Sequence, residues 1–154
     1  MNILSTQYTL ATKSFEIYVA GCKGQPHCKG CHNPESWNFN QGEKWTEEYY
    51  LSVIKPKVLE FCSIIKNIMI FGGEPLDQNH DELLSMLYNL NELNKDIWLF
   101  TRYDIEDIPK EIIDICNYIK YGRYEEDFTT INHIEYGITL ASSNQHIYKR
   151  GVDY

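Results

Sequence analysis

Apolar positions along the chain follow two periods. Ser14–Ala20 (SFEIYVA) is rich in aromatic and β-branched residues and stops at Gly21, which predicts a strand. Asn67–Phe71 (NIMIF) is a short unbroken apolar run, the pattern of a strand buried on both faces of a parallel sheet, and Gly72-Gly73 ends it. Asp96–Thr101 (DIWLFT) reads the same way. Tyr118–Tyr121 predicts a short strand and Tyr136–Leu140 a last one. Between these runs the period lengthens. Leu83, Leu87, Leu90 and Leu93 share one face of a helix expected over Asp81–Leu93. Tyr50, Ile54, Val58 and Phe61 recur at near-helical spacing behind Thr46, whose hydroxyl suits an N-cap. Pro56 inside that stretch is expected to kink or split it. Ile105–Cys116 predicts a further helix, with Pro109 near its first turn. Gly21–Gln41 shows no period and much Gly, Pro and Asn. It is expected to be a long loop, and loops of that length inside a domain are usually functional or disordered.

Strands alternating with helices predict an α/β fold with a mostly parallel sheet. Sites in such sheets form at the carboxyl ends of the strands. The glycine-bearing segments all follow strands, so they are expected to gather on that edge. A length of 154 residues points to a single domain, residues 1–154, with a modest core. The formal net charge of −8 disfavours a nucleic-acid-binding surface. No run of about eighteen apolar residues is present, so no membrane span is expected. MNILSTQYTLATK lacks the basic-then-apolar layout of a signal peptide, and the expected location is cytoplasmic.

Composition adds five cysteines, three of them at Cys22, Cys28 and Cys31. In a reducing compartment such clustering points to metal or redox chemistry rather than disulfides. Thiolates are soft ligands chosen by iron–sulfur clusters and by zinc. Three ligands around a [4Fe–4S] cube would leave one iron open to substrate. A structural zinc would need a fourth ligand, with His27 or His32 at hand, but the usual second cysteine pair is missing. Spacing favours the cluster and leaves zinc open. Cys62 and Cys116 stand alone in helical patterns and are expected to be small buried apolar groups. Gly72-Gly73-Glu74-Pro75 permits a sharp turn and close ligand approach. Glu74 would project an anion there, able to accept from an ammonium group.

Together these motifs resemble the radical S-adenosylmethionine superfamily. Within it, the chain is similar to the activating components of anaerobic (class III) ribonucleotide reductases. The likeness rests on Gly21-Cys22, the string Cys28-Lys29-Gly30-Cys31-His32-Asn33-Pro34-Glu35-Ser36-Trp37, Gly72-Gly73-Glu74-Pro75-Leu76, Asp96–Thr101, Gly122-Arg123-Tyr124 and Ser142-Ser143-Asn144-Gln145. It covers nearly the whole chain. It implies an incomplete βα barrel whose open side docks the reductase. It implies a [4Fe–4S] cluster on Cys22, Cys28 and Cys31, with S-adenosyl-L-methionine chelated by the fourth iron. Gly30, Cys31 and His32 would meet the adenosyl part. Gly72, Gly73 and Glu74 would hold the methionine end, with Thr101 and Arg102 in the same pocket.

The implied reaction is reductive cleavage to a 5′-deoxyadenosyl radical, which makes a glycyl radical on the large catalytic subunit of the reductase. No side-chain acid or base is required. An external one-electron donor such as flavodoxin or ferredoxin is implied. The alternatives are activation of a formate-lyase type enzyme, or a zinc-stabilised binding module. The family usually places three residues between the first two cysteines; here there are five, and Gly24 and Pro26 suit an outward bulge. His27 in that bulge is expected to be solvated. Trp37 and Trp98 are expected to be packing residues. Asn144 and Gln145 either close the cofactor pocket or cap the last strand. Glu125-Glu126-Asp127 reads as a solvated face, or as a contact for a basic patch on the reductase.

Overall fold

A computed structural model describes residues 1–154. In chain order the strands and helices are β1 (Asn2–Thr9), β2 (Ser14–Ala20), β3 (Glu43–Lys44), α1 (Glu47–Tyr49), α2 (Lys55–Glu60), β4 (Asn67–Gly72), α3 (His80–Asn91), β5 (Asp96–Phe100), α4 (Lys110–Ile115), β6 (Tyr118–Tyr121), β7 (Thr129–Glu135), β8 (Ile138–Ser142) and β9 (His146–Lys149). One seven-stranded sheet has the order β3-β1-β2-β4-β5-β6-β9, and β7–β8 form a separate hairpin. The central strands β2, β4, β5 and β6 are parallel, while β1 and β9 run antiparallel at the flanks. The architecture is thus α/β with a mixed sheet that is parallel at its centre.

Alternation along the strands sorts the core. Ile68 and Ile70 of β4 face the helices, and join Ile97 and Leu99 of β5, Leu83, Met86, Leu87 and Leu90 of α3, and Ile112 and Ile115 of α4. Met69 and Trp98 point to the opposite face and pack with Leu140 and Ile147. The helices therefore cover one face only. Burying each leucine of the α3 stripe stabilises the fold by about 1.5–3 kcal/mol. Asn79 caps α3 by accepting from the Glu82 N–H at 3.1 Å, and Asp81 and Glu82 complement the helix dipole.

Several elements depart from their expected form. The Thr46 hydroxyl does accept from the Tyr49 N–H at 3.0 Å, but Pro56 neither kinks nor splits the helical segment behind that cap. A π-helical stretch, Tyr50–Ile54, joins α1 to α2 and sets Pro56 in the first turn of α2, where its missing N–H costs least. The segment Ile105–Cys116 is broken. Ile105–Asp107 forms a 3-10 turn, Ile108 is extended because it precedes Pro109, and α4 begins at Lys110. Tyr136 and Gly137 have φ of 48° and 81° and form a hairpin turn, so the strand expected at Tyr136–Leu140 starts at Ile138 and is followed by β9. Cys116 is buried as expected, but Cys62 is exposed, because α2 ends at Glu60 and leaves it on a surface turn. No helix is long and apolar enough to cross a membrane.

Candidate functional site

The carboxyl ends of the parallel strands gather the motifs. Gly21-Cys22 follows β2, Gly73-Glu74 follows β4, Thr101-Arg102 follows β5 and Gly122 follows β6. They border a cavity of about 240 Å³ that Cys22, Cys28 and Cys31 all line. Gly72, Gly73, Glu74, Thr101 and Arg102 line it as well.

Backbone hydrogen bonds sew the two glycine motifs together. The Gly73 N–H donates to Val19 O at 2.9 Å and the Glu74 N–H to Gly21 O at 2.8 Å. The Gln78 amide adds a bond to Gly21 O at 3.1 Å. The cysteine loop closes on itself where Gly21 N–H meets Ser36 O at 2.6 Å and Cys22 N–H meets Trp37 O at 3.2 Å. A Cβ on Gly73 would strike the carbonyl oxygens of Gly21 and Ser36, and a side chain on Gly72 would need its φ of +124°. These two positions therefore require glycine.

Glu74 does not project freely into the cavity. It is 2% exposed, and its carboxylate accepts from Thr101 Oγ1 at 2.6 Å, the Arg102 N–H at 2.8 Å and the Leu76 N–H at 3.0 Å. Burial pushes its pKa up, against the pull of those donors. Asp77, which sequence reasoning passed over, accepts from the Lys23 N–H at 2.6 Å, Tyr103 Oη at 2.7 Å and Arg102 Nη2 at 3.0 Å. Burial raises its pKa, but these donors outweigh burial and hold it below the usual range.

The Arg102 guanidinium is thus locked to Asp77, with its charge close enough to act on the Cys22 thiol. Burial pushes that thiol up, while the Gly24 N–H and the guanidinium favour its thiolate. Arg102 Nε is buried with no hydrogen-bond partner and lies 3.9 Å from Glu74 Oε2. Lys120 is a second cation in the cavity wall. Its ammonium donates to Gly122 O at 2.9 Å. Burial pulls it down to about 8, against the nearby Glu74 and Cys28 charges.

Gly30 and His32 are not in this cavity. With Cys28 and Cys31 they border a second one, about 430 Å³. His27 is half-buried rather than freely solvated. Its ring stacks on Trp37 with centroids 3.8 Å apart, and Nε2 lies 3.1 Å from Cys22 O, so the extra loop residues are braced. Trp37 is accordingly both a packing partner and part of the first cavity, whereas Trp98 is purely a core residue stacked on Tyr118.

Gln145 lines the first cavity while its Oε1 accepts from the Ala141 and Ser142 N–H groups, so it both caps and closes. Asn144 donates to Arg123 O at 2.8 Å, outside that lining. Glu125, Glu126 and Asp127 are exposed, and Glu126 pairs with Lys29 of the cysteine loop.

The sulfurs are spread. The group of three ligand-type side chains whose donor atoms converge within 4.8 Å is His133, Glu135 and His146, not the cysteines. One zinc ion would bring sulfurs to roughly 3.8 Å of each other, whereas a cluster holds each cysteine on a different iron and spaces them wider. The donor set fits a cluster better than a mononuclear zinc.

A family model described as a 4Fe-4S single cluster domain matches residues 13–148. Three curated relatives are named anaerobic ribonucleoside-triphosphate reductase-activating protein. That of Enterobacteria phage T4 is 31% identical over 119 residues, covering 74% of this chain and 72% of the relative. That of Salmonella typhimurium strain LT2 is 28% identical over 118 residues, 72% of this chain and 74% of the relative. That of Escherichia coli strain K12 is 28% identical over 136 residues, 84% and 83%. No solved structure gives a significant match.

Proposed function

Since the chain belongs to the 4Fe-4S single cluster domain family and to the anaerobic ribonucleoside-triphosphate reductase-activating proteins, we propose that it activates the catalytic subunit of such a reductase through radical S-adenosylmethionine chemistry. The observation that carries this reading is the meeting of Cys22, Cys28 and Cys31 with Gly72-Gly73-Glu74 in one cavity at the carboxyl edge of the parallel strands. Those strands, helix-covered on one face, would supply the parallel part of an incomplete βα barrel of the superfamily type.

Cys22, Cys28 and Cys31 would hold the [4Fe–4S] cluster and leave one iron for the amino and carboxylate groups of S-adenosylmethionine. Bound together and given one electron by an external donor, cluster and sulfonium would supply cleavage to methionine and a 5′-deoxyadenosyl radical, which would take a hydrogen atom from a glycine of the reductase to give 5′-deoxyadenosine and a glycyl radical. The protein's own share is binding and orientation. Gly72 and Gly73 give the methionine end bare backbone. Glu74 acts indirectly, because its hydrogen bonds to Thr101 and the Arg102 N–H fix the β5 end of the wall. The Arg102 charge favours the Cys22 thiolate, and Lys120 would offer a buried ammonium to a ligand carboxylate. Phe71 and Phe100, with ring centroids 4.1 Å apart, form an apolar patch in the same lining. Gly30, Cys31 and His32 reach the adenosyl part from the second cavity.

The test is anaerobic. Protein reconstituted with iron and sulfide, reduced by dithionite or by flavodoxin, should release 5′-deoxyadenosine from S-adenosylmethionine. With the reductase present, it should give the doublet spectrum of a glycyl radical. Iron-loaded, reduced protein that yields neither product rejects the reading. A radical on a formate-lyase type enzyme but not on the reductase would reassign the partner.

A further inference from the structure

A second set of ligand-type side chains lies apart from the cysteine cavity. His133 and Glu135 are two residues apart on β7 and so share a face. His146 opens β9. One nitrogen of each histidine and a carboxylate oxygen of Glu135 lie within 4.8 Å of one another. Glu135 Oε1 sits 2.8 Å from His133 Nε2 and 2.9 Å from His146 Nδ1.

Each group is also held from behind. Glu135 Oε2 accepts from the Ile147 N–H at 2.6 Å, and His133 Nδ1 lies 3.4 Å from Ser142 O. Such outer contacts are what orient imidazole and carboxylate ligands around a metal. In a scheme of hydrogen bonds alone, both nitrogens of His133 are satisfied only if the ring carries two protons. A neutral imidazole has one N–H, yet both of its nitrogens face acceptor oxygens. A cation among the three groups resolves this. Nε2 then gives its lone pair to the ion, and the Nδ1 N–H is free for Ser142 O.

We propose that His133, Glu135 and His146 form a zinc site that fastens the β7–β8 hairpin to the β9 edge of the sheet. Two imidazoles and one carboxylate are a zinc donor set, with water completing the tetrahedron. Calcium and magnesium prefer all-oxygen ligands, and among first-row divalent ions nitrogen donors favour the late ones. Ligand atoms around tetrahedral zinc stand roughly 3.3 Å apart, so the two nitrogen–oxygen spacings of 2.8 and 2.9 Å need to open by about half an ångström. A cavity of about 500 Å³ bordered by Glu135, His146, Tyr121 and Asp153 gives water access to the remaining position.

The location has a consequence. The hairpin pairs with no strand of the main sheet, yet its Thr129, Thr130 and Ala141 border the second cavity together with Cys28 and Cys31. Zinc would fix that wall. None of its three ligands lines the first cavity, so the site stands independently of the proposed radical chemistry.

The test uses cluster-loaded protein, dialysed anaerobically against micromolar zinc chloride, with zinc and iron counted by mass spectrometry. About one zinc per chain is expected beyond the cluster iron. Glu135→Gln, which keeps the shape of the side chain, should weaken uptake by more than about tenfold. His133→Ala with His146→Ala should abolish it with iron content unchanged. If that double variant loses its iron, the comparison with Glu135→Gln decides. The triple variant Cys22→Ser, Cys28→Ser, Cys31→Ser should still bind one zinc. Amide exchange across residues 129–142 should slow with zinc in the wild type and not in Glu135→Gln. The proposal is overturned by no zinc uptake in the wild type, by equal uptake in wild type and variants, or by zinc that disappears with the cysteines.

Discussion

Glu74 and Asp77, three residues apart, have their pKa values pushed in opposite directions. Glu74 is nearly sealed, and burial raises it. Asp77 is surrounded by donors from Lys23, Tyr103 and Arg102, which together outweigh burial. A carboxyl group held below its unfolded value stabilises the fold above that value, and loses the contribution as pH falls through the folded one. Asp77→Asn should therefore lower stability by about 3 kcal/mol near neutrality. Its denaturation curve should converge on the wild type's as pH drops below about 4. Convergence at higher pH would mean that the pair with Arg102 contributes little.

Lys120 offers a different readout. Replacing it with methionine should weaken S-adenosylmethionine binding by roughly ten- to a hundredfold, the worth of one charged hydrogen bond. Lys120→Arg should restore part of that. Burial lowers the ammonium to about 8 in the chain alone, so the wild type should lose affinity relative to Lys120→Arg as pH rises, the amino group of S-adenosylmethionine titrating alike in both. Calorimetric titration of cluster-loaded protein checks both.

At the scale of elements, the join between the cysteine loop and the β4 turn is the least tolerant place. Gly73→Ala should cost more than about 2 kcal/mol in thermal unfolding and reduce iron uptake, since both obstructing atoms are backbone. Gly30→Ala meets open space and has only its φ of +66° against it, so a loss nearer 1 kcal/mol is expected. The buried parallel strands and the α3 stripe were legible because their residues are apolar at the right period. β1 was not, for Asn2–Thr9 (NILSTQYT) is a flank strand with polar residues on its open face. β7 hid because it is rich in Thr, Asn and His and mostly exposed, and β9 because it is only four residues long. Lys120 and Asp77 hid because sequence assigns lysine and aspartate to the surface by default, and only the topology brings them inward.

Across the whole molecule the two faces of the sheet are unequal. Twenty-three buried residues form the core beneath the helices, and only four form the one on the other side. Leu87→Ala in the larger core should cost about 2–5 kcal/mol. Ile131→Ala on the hairpin, 82% exposed, should change stability by less than about 0.5 kcal/mol. Chemical denaturation of the two variants makes the comparison. The cavity lies on the thinly packed side, where Phe71 and Phe100 rather than a helix complete the lining. Fold class and strand-edge location were readable from alternation alone. The identity of the site came from the cysteine and glycine strings, and its electrostatics only from the folded arrangement.

The loop that carries the cysteines leaves and re-enters the fold at one point, where Gly21 and Cys22 meet Ser36 and Trp37. Chain added between those closed ends displaces nothing in the sheet. Lengthening such a loop by two residues costs on the order of 0.1 kcal/mol in closure entropy. A loop of another size, transplanted between the same two anchors, should therefore leave the sheet as stable as before.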